Sequence, residues 1–194
     1  MTLVLSTLIL LATPAQADGI TVGQPAPDFS LPDLNGETVT LSDLKGKTVV
    51  LEWFNPGCPF VKYAHDDGPL DTLAAKHTSS PEVVWLAINS SAEGKQGHGL
   101  EVNKVAAAEW EMSHPILLDA SGDVGHRYGA KTTPQMFIID ASGKVAYAGA
   151  LDNAPFGKVE GELTDFVSGA LSDLAAGKPA TPDHTKPYGC SVKY

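Results

Sequence analysis

Two cysteines are the strongest candidates for chemistry in this 194-residue chain. Cys58 stands between two prolines in "NPGCPFVK", directly after the apolar run "TVVLEWF" and directly before a stretch of helical pattern. A cysteine so placed falls at a helix N-terminus, where free backbone N–H groups and the helix dipole favour the thiolate, the nucleophilic form. Cys190 lies in "PYGCSVKY", on a Pro- and Gly-rich terminal stretch that can fold back as an extended arm. Two cysteines allow one intramolecular bridge. Glu52 is the only charged residue in the apolar run, and a carboxylate buried there is expected to have a raised pKa and to be able to shuttle protons. The alternative is an acid facing a polar pocket. The histidines, at positions 65, 77, 98, 114, 126 and 184, show no H-x-x-x-H or H-x-x-E-H spacing, so no metal site is assigned. His65, beside Asp66 and Asp67 two helical turns after Cys58, reads as part of a solvated helix surface.

The N-terminal "LVLSTLILLA" is short for a membrane span and runs into Ala15-Gln16-Ala17, a small-x-small cleavage pattern. This predicts a signal peptide over residues 1–17, an exported and periplasmic protein beginning at Asp18, and no stable membrane span after cleavage. No Lys or Arg precedes the apolar stretch, and an uncleaved anchor is the rival reading. Residues 18–177 are then one domain with a sizeable core, and residues 178–194 a tail carrying Cys190. The net charge is -10, and no cluster of Lys and Arg offers counter-charge to a phosphate backbone, which argues against nucleic-acid partners. Outside the cytosol, disulfides can persist.

The elements that must position Cys58 follow from the apolar pattern. Asp28 to Leu31 and Thr38 to Leu41 flank a turn at Asn35-Gly36, a hairpin. Thr48 to Phe54 reads as a strand buried on both faces. A helix from about Phe60 to Lys76 should break or kink at Gly68-Pro69. A second buried strand, Val83 to Ile88, precedes a polar Gly-rich loop, a helix from Leu100 to Glu111, a short strand from Ile116 to Leu118 and a brief helix from Asp123 to Tyr128. "QMFIIDASGKVAYAG" gives an antiparallel hairpin around Ser142-Gly143. The last helix is expected over Val159 to Ala176, with Leu163, Phe166, Val167, Ala170, Leu171 and Leu174 on one stripe and Gly177 as its stop. The order implies an α/β fold, a mixed central sheet flanked by helices, with an N-terminal β-hairpin extension and an irregular C-terminal tail.

This order, with "VGQPAPDFSLPDLNGETVTLSDLKGKTVVLEWFNPGCP", resembles the thioredoxin fold and, within the thioredoxin and peroxiredoxin superfamily, the exported redoxins (AhpC/TSA-like), over roughly residues 20 to 175. Thioredoxins carry Cys-x-x-Cys-Lys at the start of their first long helix, and Cys58-Pro59-Phe60-Val61-Lys62 matches it except that Val61 replaces the second cysteine. The resemblance implies that Cys58 is an exposed nucleophile and that Glu52 holds the place of the buried acid that manages the second cysteine's proton. In "KTTPQMFIID" it implies a cis-proline at Pro134, opposite the nucleophile, with Thr133 before it, both positioning substrate along with Pro59 and Phe60. Peroxiredoxins place a Thr or Ser three residues before their cysteine and an arginine just before the later strand; here those positions hold Asn55 and Pro134, and Arg127 is the only arginine in the chain.

With Val61 in place of a cysteine, the plausible resolving thiol is Cys190. Three readings stand: a reversible redox bridge from Cys58 to Cys190; a permanent bridge that fastens the tail and stabilises the fold by about 4 to 5 kcal/mol on the loop-entropy model; and two thiols that never meet. The leading function is a thiol-disulfide oxidoreductase that needs no cofactor and acts on protein or small-molecule thiols and disulfides, with an electron donor still to be identified. The alternatives are a cysteine-dependent peroxidase of antioxidant function and a non-enzymatic binding module with a structural disulfide.

Overall fold

The computed structural model describes residues 19–159 and 161–194; the expected leader, residues 1–17, and Asp18 lie outside the described residues. Strands β1 (Ser30–Pro32) and β2 (Thr38–Thr40) pair antiparallel as the expected hairpin. Its turn is closed by Asp33, whose carboxylate accepts from the backbone N–H groups of Asn35 and Glu37, and Gly36 takes the positive φ of 84° that a side chain would resist.

The central sheet is built from β3 (Thr48–Trp53), β4 (Val83–Asn89), β5 (Ile116–Leu118), β7 (Gln135–Ile139) and β8 (Val145–Gly149), in the spatial order β5-β4-β3-β7-β8. The β3–β4 and β4–β5 pairs are parallel, the β3–β7 and β7–β8 pairs antiparallel. Strand β3 lies at the centre, and Val49 to Trp53 are all buried, as its unbroken apolar run predicts. Alternation along it separates two cores. Val49, Leu51 and Trp53 pack with Leu86, Ile88, Tyr128 and Phe137 on one face. Val50 packs with Trp85, Met136, Ile138 and Tyr147 on the other, under Leu70, Val167 and Leu171.

The helices are α1 (Pro59–Asp66), α2 (Leu70–Thr78), α3 (Leu100–Glu109), α4 (Asp123–Tyr128) and α5 (Phe166–Ala175). The expected break at Gly68-Pro69 separates α1 from α2, because proline excludes helical geometry from the residue before it and lacks the N–H that would continue the ladder. The last helix is shorter than its apolar pattern suggests. Asp165 caps it by accepting from the Ser168 N–H, while Asn153 captures the Thr164 N–H and the Glu162 carbonyl. Leu163, expected on the buried stripe, is 62% exposed on the preceding loop. Gly177, with φ of 70°, follows the end of α5.

The tail departs most from expectation. It is not wholly irregular: Cys190–Ser191 form β9, antiparallel to β6 (Thr132–Thr133), with Cys190 opposite Thr133. Such a two-residue ladder has no periodicity to read and is stabilised by what anchors its ends. Upstream, the Thr185 hydroxyl meets the Tyr147 hydroxyl and accepts from the Ala150 N–H, and the Tyr188 hydroxyl donates to Asp152 at 2.6 Å. Downstream, Val192 N–H donates to Lys131, Ala92 N–H donates to the Lys193 carbonyl, and Tyr194 stacks on His126 and donates to the Ala130 carbonyl. Among the described residues no helix is long and apolar enough to cross a membrane.

Candidate active site

Cys58 is the N-cap of α1, with Pro59 at the first helical position. The loop leading to it is tied by Asn55. The Asn55 carbonyl accepts from Cys58 N–H at 3.0 Å, its side-chain oxygen accepts from Gly57 N–H, and its side-chain amide donates to the Gln96 carbonyl at 3.0 Å. Gln96 returns a hydrogen bond to the Gly57 carbonyl, so the polar 90s loop braces the nucleophile's loop. The sequence shows Asn55 only as a departure from peroxiredoxins. The structure gives it this bracing role, engaged on every side. Arg127 donates to the Asp28 carbonyl.

The sheet delivers Thr133 to the same sulfur. The Thr133–Pro134 peptide is cis, and the Thr133 carbonyl accepts from Cys58 Sγ at 3.0 Å. The Thr133 hydroxyl is buried without a hydrogen-bond partner, and the Thr133 side chain favours the Cys58 thiolate. Directly across the β6–β9 ladder is Cys190. Tertiary structure thus brings Cys58, Thr133 and Cys190 together, and both cysteines are free thiols.

The resemblance implied an exposed Cys58; it is instead fully buried, at 0% exposure, in a cluster with Phe54, Val61, Ala87 and Ala106, with Cys190 packed against them. The tail strand and Thr133 cover it. Burial would raise its thiol pKa, but the Cys190 thiol, the Thr133 side chain and the Val61 and Cys190 N–H groups outweigh burial and hold it below the ordinary value. Cys190, partly exposed, has the opposite shift: burial and the neighbouring Cys58 sulfur push it up to about 11, although Phe60 N–H and Lys193 favour its thiolate. Phe60, half-buried, stacks on Phe156 with ring centroids 4.1 Å apart and lies 6.0 Å from Tyr188, making an aromatic shelf beside Cys190; Pro59 is exposed.

Glu52 does not behave as the raised-pKa proton shuttle expected of it. It is fully buried, yet His114 and His65 overcome the desolvation and hold its carboxyl down to about 2. His65 Nε2 lies 3.3 Å from Glu52 Oε1, and its Nδ1 lies 2.9 Å from Asp71 Oδ1. Burial would lower the His65 pKa, but Asp71 and Glu52 raise it to about 9. Trp85 donates to Glu52 at 3.3 Å, and His114 Nε2 stands 3.7 Å from its second oxygen. No hydrogen bond joins Glu52 to either cysteine; Phe54 packs in the Cys58 cluster and, edge-on, against the His65 ring. His65 is therefore a buried ion-pair partner stacked on Trp110, not part of a solvated surface. The signal was its spacing: Val61, Ala64 and His65 occupy one i, i+3, i+4 stripe, and all three are buried. Among the described residues no cluster of three His, Cys, Asp or Glu side chains could hold a metal ion.

Comparison with known proteins bears on the family and the fold. Over 131 residues the chain is 30% identical to the thiol-disulfide oxidoreductase ResA of Bacillus subtilis (strain 168), covering 68% of each protein. Over 147 residues it is 30% identical to the thiol:disulfide interchange protein DsbE of Pseudomonas fluorescens biotype C, covering 72% of this chain and 73% of that one. The crystal structure of an uncharacterized conserved protein from Geobacillus kaustophilus superposes with a TM-score of 0.80 at 30% identity, covering 95% of this chain and 98% of that one. The Redoxin family profile matches residues 21–163, which include the Cys58 helix and the cis-proline loop but not Cys190. With its mixed thioredoxin-type sheet and the cysteine at the mouth of its first helix, the chain belongs to the thioredoxin-like Redoxin family.

Proposed function

We propose that the protein is an exported thiol-disulfide oxidoreductase that cycles between the dithiol and a Cys58–Cys190 disulfide. Cys58 supplies the attacking thiolate of the bridge-forming step, and Cys190 is its partner sulfur, filling the place left open by Val61. Thr133 and Pro134 hold the reacting sulfur from the sheet side, while Phe60 and Pro59 shape the rim. The observation that carries this reading is the β6–β9 ladder, which seats Cys190 opposite Thr133 and against Cys58. The family membership and the names of the relatives support the reaction class. Export rests on the leader-like sequence of residues 1–17.

A bridge made to a stabilised thiolate is readily broken, because that thiolate is a good leaving group. The test is a glutathione redox titration of wild type, Cys58→Ser and Cys190→Ser, scored by thiol labelling. The expected result is a bridge in the wild type alone, with a potential near about -200 mV; one well below about -300 mV would mark a permanent structural disulfide instead. No bridge in oxidising buffer would overturn the reading.

A further inference from the structure

The two cysteines are not equally exposed. Cys58 has no exposed surface, being enclosed by Phe54, Val61 and Ala106 and roofed by β9. Cys190 is on the roof itself, partly exposed, and β9 pairs on one side only, with β6. The roof is pinned on both sides of Cys190, by Thr185 and Tyr188 before it and by Val192, Lys193 and Tyr194 after it. Gly189 adds a close approach: its φ is 132°, and a Cβ there would sit 2.1 Å from the Thr133 carbonyl oxygen. A strand held this closely does not act as a lid that swings away at each turnover.

Disulfide exchange depends on which sulfur an incoming thiolate can reach and on which sulfur leaves more easily. Resting on the reading of a reversible bridge, we propose that external thiols exchange with the oxidised protein at Cys190, with Cys58 as the internal leaving group, so that electrons enter through the tail. Access and leaving-group quality point the same way, since the enclosed sulfur is also the one with the lowered thiol pKa.

The steps balance as follows. A thiolate RS⁻ attacks Cys190 Sγ, the Cys58–Cys190 bond breaks, and Cys58 departs as a thiolate stabilised by Thr133 and Val61. A second RS⁻ attacks the R sulfur of the R–S–S–Cys190 mixed disulfide, giving RSSR and a Cys190 thiolate that takes a proton from solvent. Two thiols are oxidised to one disulfide, and the protein gains two electrons. In reverse, Cys190 forms the mixed disulfide, and Cys58 attacks Cys190 Sγ, so that Cys58 remains the nucleophile of the bridge-forming step.

Oxidised wild-type protein, exposed briefly to cysteamine, quenched in acid and mapped by peptide mass, tests this without any variant. The cysteamine adduct is expected on Cys190 in at least ~10-fold excess over Cys58. An adduct mainly on Cys58 overturns the proposal while leaving the reversible bridge standing. If the oxidised protein has no Cys58–Cys190 bridge to attack, both readings fall.

Discussion

Helix α1 carries a proton-binding pair at each end. At its N-terminus Cys58 meets Cys190; near its C-terminus His65 meets Glu52. In both, the two members' pKa values are driven apart: partners override desolvation at Glu52, His65 and Cys58, while at Cys190 burial and the Cys58 sulfur act together. The outcomes differ because of what the partners can do. Two sulfurs can form and break a covalent bond, and one of them lies on a partly exposed strand. A carboxylate and an imidazolium sealed between β3 and α1 can only hold their charges. A perturbed pKa therefore marks chemistry at one end of the helix and architecture at the other, and bond-forming capacity and access tell them apart.

The sharpest way to break this contrast is to remove the second sulfur. Cys190→Ala should abolish the bridge and reduce oxidation of a dithiol substrate by ~100-fold or more, since no protein disulfide remains to accept the two electrons. A dithiol-oxidation assay that finds near wild-type rates would place the resolving group elsewhere.

Glu52→Gln should act on the other pair. It leaves His65 buried with only Asp71 and should cost about 3 to 5 kcal/mol in urea unfolding. The pH dependence has a definite sign. Glu52 is lowered from 4.5 to about 2, so its contribution is present above pH 4.5 and is lost as pH falls through 2. His65 is raised from 6.5 to about 9, so its contribution is full below pH 6.5 and lost as pH rises through 9. The gap between wild type and Glu52→Gln should be widest between pH 4.5 and 6.5 and narrow on either side. The thiolate absorbance titration of Cys58 should be unchanged in this variant; a large shift would make Glu52 part of the sulfur chemistry after all.

Gly189→Ala tests the roof. Forcing a Cβ towards the Thr133 carbonyl at a positive φ should cost about 1 to 3 kcal/mol and expose Cys58 to alkylation in the reduced protein. If Cys58 labelling stays slow, something other than β9 shields it. The smallest effect is expected from Thr133→Val, which keeps the β-branched shape but removes the hydroxyl that favours the Cys58 thiolate. It should raise the Cys58 thiol pKa slightly, as read from thiolate absorbance.

Much of the fold was legible because its signals are local. The apolar run of β3, the Gly68-Pro69 break, the Ser142-Gly143 hairpin and the brief α4 helix each follow from periodicity or from backbone restrictions acting within a few residues. The start of α5 differs from its apolar pattern because Leu163 falls in phase with the stripe, whereas Asn153, on the loop before it, decides where that backbone goes. At the site, Cys58, Thr133 and Pro134 could be picked out by motif. Burial alone predicted a raised Glu52 pKa, and the sign reversed because His114 and His65 come from other segments to meet it.

The sequence by itself determined the order of strands and helices along the chain, the mixed α/β class, the helix-capping cysteine and the presence of one other cysteine, because propensity, apolar spacing and proline geometry operate over short stretches. Only the tertiary structure decided that β9 lies on β6, that Cys58 is roofed while Cys190 remains reachable, and that Glu52 is locked in an ion pair. These depend on segments far apart in the chain meeting in one place. No local pattern encodes such a meeting; it follows from packing the whole chain at once.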